Sequence, residues 1–433
     1  CEKVSNKWSD EYMNPMNTRE IYDGVVFNSI FDKRFKTMKL TVNIFQPLNA
    51  ETAAVNALLC YMLVRCCKKY PDFTTLSKKL GSLYGAELNG SVSKMGDMQC
   101  LNIAVSGLDD RYALDGESIS GQLGELLCEV LFNPKAENGR FDEDDMLQEK
   151  RQLLDMIDSE FNDKRTYASQ RLIEIMCSDE LYGVSRCGTK EQINDLTTAD
   201  VYDAWQNMLC NAHFEFTYVG DSNPEKVIDI IDNSFKEIKR TPIELSNDVI
   251  YTVPEQNESI EEMEVAQSKL EIGFRTACAE PEQEATATRL MCAVLGGTAT
   301  SKLFTNVREK KSLCYYCMSR FYRLKGIMVV ESGVETANIE AAKAAILNEI
   351  EEMKKGNISD FEIDSAKLAI VNSFRSIVDT VTGISSWYST QLMDASVDTP
   401  EQAAEKINAV TKDEIVKAAN KLLLDTVYVL KSK

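Results

Sequence analysis

The chain carries 433 residues, more than one ordinary core organises, so two or more domains are expected. Its 44% hydrophobic and 27% charged residues make a globular composition. A formal charge of −20 disfavours nucleic acid or an anionic membrane as the main partner, because nothing neutralises phosphate in bulk.

Residues 1–20 are polar, which predicts no signal peptide. Strands are predicted at Gly24–Ser29 and Met38–Phe45, the second alternating Leu40, Val42 and Ile44 on one face and stopped by Pro47. A helix over Ala53–Lys69 is apolar nearly all round, hence buried on more than one side. Its longest apolar run, Ala57–Val64, is far too short to span a bilayer, so no membrane segment is expected. Leu76–Tyr84 predicts a helix ending near Gly85, and strands over Glu87–Ser93 and Gln99–Ser106 flank a turn at Gly96-Asp97. A helix near Leu123–Leu131 precedes Pro134. Phe141–Phe161 predicts another, opened by acids and striped by Met146, Leu147, Leu153, Leu154, Ile157 and Phe161. More helix follows through Tyr167, Arg171, Leu172 and Ile175, then a helix over Thr197–Leu209 and a strand over His213–Gly220.

The chain then repeats itself. Ile193–Thr197 (INDLT) resembles Ile407–Thr411 (INAVT) at an offset of 214, which also lays Asp200-Val201 on Glu414-Ile415 and Met146–Leu154 on Asp360–Leu368. The polar stretch 236–264, with two prolines and several acids, reads as a linker. The fold class expected is therefore α+β: two tandem homologous modules, each an antiparallel-rich sheet with helices packed on one face. The first spans 1–235 and the second 265–433.

Thirteen scattered cysteines, many beside apolar neighbours such as Cys60, Cys128, Cys177 and Cys292, predict reduced buried thiols and a cytoplasmic location. Cys314-x-x-Cys317 lies in a predicted strand, where positions three apart point to opposite faces, so neither redox nor zinc duty is expected. Cys66-Cys67 has no companion pair. The acidic run Asp142–Asp145 serves as a helix first turn rather than a cation site. Gly296–Lys302 lacks the spacing of a phosphate loop. A single histidine, His213, leaves no Ser-His-acid or Cys-His arrangement.

In Leu303–Tyr316 (LFTNVREKKSLCYY) a helix turn bearing Leu303, Phe304 and Val307 runs into a strand from Leu313. Arg308 and Tyr315, seven positions apart, lie on either side of the bend; a planar multi-donor and a phenol could grip a peptide carbonyl or a carboxylate. This segment resembles one in the second homologous domain of the insulinase-type (M16, inverzincin) zinc peptidases. The resemblance covers nearly the whole chain, since that family is also built from two homologous modules. It implies that Arg308 and Tyr315 contact a substrate backbone.

The family's zinc ligands are not matched. No His or acid lies in Thr52–Val64, where the resemblance places H-x-x-E-H. Glu149 matches the first of two glutamates seven apart, but the second position holds Met156. No catalytic residue, metal or cofactor is therefore expected. The resemblance implies a non-catalytic, bacterial-type subunit that binds peptide and completes the chamber of a zinc-bearing M16 homologue in a heterodimer. The alternative is a stand-alone peptide- or protein-binding scaffold.

Overall fold

The computed structural model describes residues 16–391 and 397–433. The first half opens with β1 (Asn17–Tyr22), β2 (Val25–Phe31) and β3 (Thr37–Pro47), then α1 (Ala53–Arg65), α2 (Phe73–Ser82), β4 (Glu87–Met95) and β5 (Met98–Leu108). It continues through α3 (Ile119–Phe132), the small hairpin β6 (Ala136–Glu137) and β7 (Arg140–Phe141), α4 (Glu143–Asn162), α5 (Lys164–Met176), α6 (Lys190–Asp195) and α7 (Thr198–Asn211). It closes with β8 (His213–Gly220) and α8 (Glu225–Phe235). Six strands form one sheet in the order β1-β2-β8-β3-β5-β4. Leu40, Val42 and Ile44 all face its core, as their alternation predicts, and they pack there with Leu58, Leu63, Leu123, Leu127 and Phe216.

Local chemistry places several boundaries. Asp72 caps α2 and accepts from Thr75 N–H, so that helix starts three residues earlier than its apolar pattern suggests. Asp142 caps α4 in the same way, accepting from Asp145 N–H at 3.0 Å. α1 ends at Arg65 rather than Lys69, because the backbone is extended at Cys66 and Cys67 exchanges hydrogen bonds with Tyr70. The apolar stripe expected on α4 is only partly buried: Met146 and Leu153 are in the core, whereas Leu147 is 68% exposed and Phe161 40%. Apolar spacing identified the helix; the width of the groove it meets decides how much of the stripe is covered.

The second half holds β9 (Asn257–Met263), β10 (Ser268–Arg275), α9 (Glu284–Cys292), β11 (Cys314–Tyr322), β12 (Ile327–Val334), α10 (Ile339–Lys354), α11 (Asp360–Ile377) and α12 (Val381–Ser389). It ends with α13 (Pro400–Ala409), α14 (Lys412–Asn420) and β13 (Leu423–Ser432). Between α9 and β11 the chain forms two wide π-helical stretches, Ala293–Gly297 and Leu303–Lys310. The sheet order β11-β12-β10-β13-β9 copies β4-β5-β3-β8-β2, antiparallel throughout except for the last pair, which is parallel in both. β9 lies inside the stretch 236–264 assigned to the linker; its pairing with β13 draws an acidic, unpromising sequence into the sheet. The repeat extends to side chains. Thr197 and Thr411 both cap the following helix in a capping box. Lys150 donates to the carbonyls of Asn194 and Leu196, and Lys367 to those of Asn408 and Val410.

Each module also places one helix on the other's sheet. From α5, Ala168, Leu172 and Met176 pack against Ile327, Val329, Tyr428 and Leu430. Gly273 of β10 permits the approach, since a Cβ there would lie 2.6 Å from Met176 Sδ. Reciprocally, Ile384 and Tyr388 of α12 pack on Ile30 and Val219. Beside them the same face of the first sheet is polar: Glu215 accepts from Asn28 Nδ2 at 2.7 Å and Asn43 Nδ2 at 3.3 Å.

An ion cluster closes the junction. Lys325, 1% exposed, donates to both oxygens of Asp97 at 2.8 and 3.0 Å and lies 3.5 Å from Glu180. Arg275 pairs with Glu180 at 2.6 Å and Asp425 at 2.7 Å. Asp97 sits in the tight turn between β4 and β5, and its carboxylate also accepts from the N–H of Asp248 in the connecting stretch. No helix among the described residues is long and apolar enough to cross a membrane.

Removing one member of a buried pair strands the other charge, so Lys325→Ala is expected to destabilise the chain by about 3–5 kcal/mol. Urea unfolding followed by circular dichroism measures this, and a change near zero would show that the cluster does not hold the modules. Burial raises the Glu215 carboxyl to about 8, against the two asparagine donors that favour its charge. The folded chain therefore keeps a proton that the unfolded chain has released between about pH 4.5 and 8, and stability falls as pH rises through that window. Glu215→Gln is expected to flatten that slope in unfolding midpoints measured from pH 5 to 8.5.

Candidate functional site

α1 and α4 pack side by side, fastened at one end by Arg65, which reaches Asp145 Oδ1, Glu149 Oε1 and Gln148 Oε1, each at 2.7 Å. Glu149, 6% exposed, is thus committed to a structural ion pair. Lys135 bridges Asp142 and Asp145, so two carboxylates of that acidic run are engaged as well. One helix turn earlier on α1, the Tyr61 hydroxyl meets Met156 Sδ at 3.6 Å. Met156 is the position seven beyond Glu149, so this contact shows where α1 meets that position on α4. With Tyr61 taken as the last His of H-x-x-E-H, Cys60 and Ala57 take the places of its Glu and its first His.

This donor set does not suit zinc. Ala57 has no ligand atom, and burial pushes the Tyr61 phenol and the Cys60 thiol each up to about 12, so neither supplies an anion. Met156 offers a thioether, which zinc disfavours. Among the described residues no group of three or more His, Cys, Asp or Glu side chains could hold a metal ion. His213 lies at the start of β8, with Nε2 2.7 Å from the Ile243 carbonyl, and has no part in this place.

Arg308 and Tyr315 lie at one corner of the second sheet. Arg308 lies in the last turn of the π-helical stretch Leu303–Lys310, anchored by the buried Leu303 and Val307. Its guanidinium stacks on Phe304, 4.5 Å from the ring centroid, and it is 3.7 Å from the exposed Glu309 carboxylate, an ion pair of little strength. The chain turns through Ser312, whose φ of +52° is a left-handed value a serine rarely adopts. Leu313 N–H closes the corner on the Val307 carbonyl at 3.2 Å. Strand β11 begins at the next residue and forms the sheet edge, leaving Tyr315 59% exposed. The Tyr315 hydroxyl donates to Glu335, which holds the phenol's pKa above its ordinary value.

A β-bulge sits at Tyr315. Cys314 pairs with Val334 and Tyr316 with Gly333, so Tyr315 has no partner of its own. The extra residue reverses the alternation, and Cys314 and Cys317 come to the same face, both against the second core. The expectation that their side chains oppose one another is corrected: period-2 alternation fails across a bulge. Neither the bulge nor Glu335, twenty residues away, leaves a pattern in the local sequence.

A family model described as the Peptidase M16 inactive domain matches residues 195–370. The chain is 32% identical over 421 residues to the probable inactive metalloprotease YmfF of Bacillus subtilis (strain 168), covering 97% of this chain and 98% of that protein. It belongs to the M16 peptidase family. Within that family it is an inactive-type homologue. Its fold also matches a conserved protein from Enterococcus faecalis V583, with a TM-score of 0.88, 28% identity and coverage of 96% of this chain and 99% of that one. A protease from Helicobacter pylori is similar at a TM-score of 0.78 and 17% identity, covering 97% and 100% of the two chains.

With this donor set, the purified M16 chain is expected to hold no stoichiometric zinc and to cleave no peptide alone. Elemental analysis returning about one tightly held zinc per chain would overturn the assignment of Tyr61 and Met156 to the ligand positions.

Proposed function

We propose that this chain is the non-catalytic half of an M16 heterodimer, binding a peptide and completing the chamber of a zinc-bearing homologue. The observation that carries this reading is a division within one fold. The zinc position is filled by Tyr61 and Met156, whereas the Arg308/Tyr315 corner keeps exposed donors and a strained Ser312 turn. The first module spans 1–235, the second begins at β9 with Asn257, and the stretch between them joins the two; the complex works in a bacterial cytoplasm.

In the complex, Arg308 reaches a peptide main-chain carbonyl with its forked donors, and the Tyr315 hydroxyl turns from Glu335 to a second main-chain acceptor. A backbone grip accepts varied sequences while fixing the scissile bond over the partner's metal. Losing one charge-assisted contact costs about 1.5–3 kcal/mol, roughly 10- to 150-fold in cleavage rate. Arg308→Ala and Tyr315→Phe complexes are expected to assemble normally and lose that much. Arg308→Lys is not expected to rescue, because an ammonium lacks the planar fork. Light scattering and steady-state kinetics on the reconstituted pair decide the matter. Variant complexes that cleave at the wild-type rate would make the corner merely structural. An H-x-x-E-H homologue that stays separate at micromolar concentration would transfer the reading to a stand-alone scaffold.

A further inference from the structure

The bulge that exposes Tyr315 also changes what its neighbours can do. Cys314 and Cys317 pair with Val334 and Ser332, two residues apart on the partner strand although three apart on their own. Two residues of antiparallel strand span about 6.8 Å, the upper end of the Cα separations that a disulfide bridges, whereas three would exceed it. Both side chains lie against the second core, near enough for each thiol to shift the other's ionisation. Cys314 is half-buried, open to a small reagent; Cys317 is buried behind it.

We infer that Cys314 and Cys317 are a redox pair that closes reversibly into a disulfide across the Tyr315 bulge. The co-reactant is a low-molecular-weight disulfide. The Cys314 thiolate attacks one of its sulfurs, the S–S bond breaks, and one thiolate leaves and takes up the proton Cys314 lost. The Cys317 sulfur then attacks Cys314 in the mixed disulfide, its proton passing to the second leaving thiolate. Two protein thiols are oxidised to one disulfide, and the small disulfide is reduced to two thiols.

The two cysteines are suited to unequal roles. The neighbouring Cys317 thiol, Ser332 and the positive charge of Arg308 pull the Cys314 thiol below its ordinary value, while Cys317 is driven well above. Cys60, Cys66, Cys128 and Cys292 are instead raised to about 12 by burial and stay inert. Closing the ring would pin the residues on either side of Tyr315-Tyr316 and remove the thiolate facing Arg308. Its consequence for peptide binding rests on the proposed function, but the thiol chemistry does not.

The test therefore uses the full chain alone, with no peptide or partner. The folded protein is equilibrated with oxidised glutathione, acid-quenched, alkylated in denaturant and digested with trypsin. The expected product is the peptide Ser312–Arg320 two hydrogens lighter and carrying no alkyl group, with two fewer alkylated thiols among the thirteen. Dithiothreitol should restore both, and Cys317→Ser should stall at a glutathione adduct on Cys314. Full alkylation of both cysteines, a wild-type chain that stops at the adduct, or Cys314 bonded to another cysteine would each overturn the pairing. A failure of Arg308 or Tyr315 to affect peptide cleavage would leave this result untouched.

Discussion

The contact between Lys325 and Asp97 is the constraint on which the arrangement of the two modules depends. An ammonium 1% exposed is tolerated only when carboxylates meet it, and these come from the β4–β5 turn and from Glu180, both in the first half of the chain. The tight turn puts Asp97 there. Gly96 (φ +57°) has no room for a side chain, because Asn247 Oδ1 would lie 2.2 Å from its Cβ. The connecting stretch is thereby folded against both modules and Asp97 is shared between them. With α5 and α12 exchanged across the junction, the two halves form one hydrophobic and ionic unit rather than beads on a string.

That rigidity gives the candidate site its meaning. The position of the family's zinc lies between α1 and α4 of the first module, the Arg308/Tyr315 corner at the edge of the second sheet, and the two places differ in chemistry. In the first module a phenol meets a thioether and Arg65 ties up Glu149, converting a catalytic position into packing. In the second, a wide π-helical stretch, a left-handed serine and an edge-strand bulge keep polar groups exposed at some cost in backbone regularity.

The internal repeat shows which features a module needs. Capping threonines at 197 and 411, and lysines at 150 and 367 that bind the same pair of carbonyls, recur at or near the offset of 214 while the surrounding residues differ. These contacts satisfy helix-end groups that burial would otherwise leave unpaired.

The sequence by itself determined the repeated α+β modules, most element positions, the loss of the zinc ligands and the family. These rest on periodicity, caps and the absence of residue types, all of which are local or countable. Only the tertiary structure decided that Tyr61 faces Met156, that β9 belongs to the second sheet, that α5 crosses to the other module, and that Cys314 and Cys317 share a face. Leu147 illustrates the difference: its place in an apolar stripe is visible in the sequence, but its exposure depends on what packs against α4. Each of these outcomes depends on which surfaces meet or on one inserted residue in a strand, and neither is encoded in the spacing of nearby side chains.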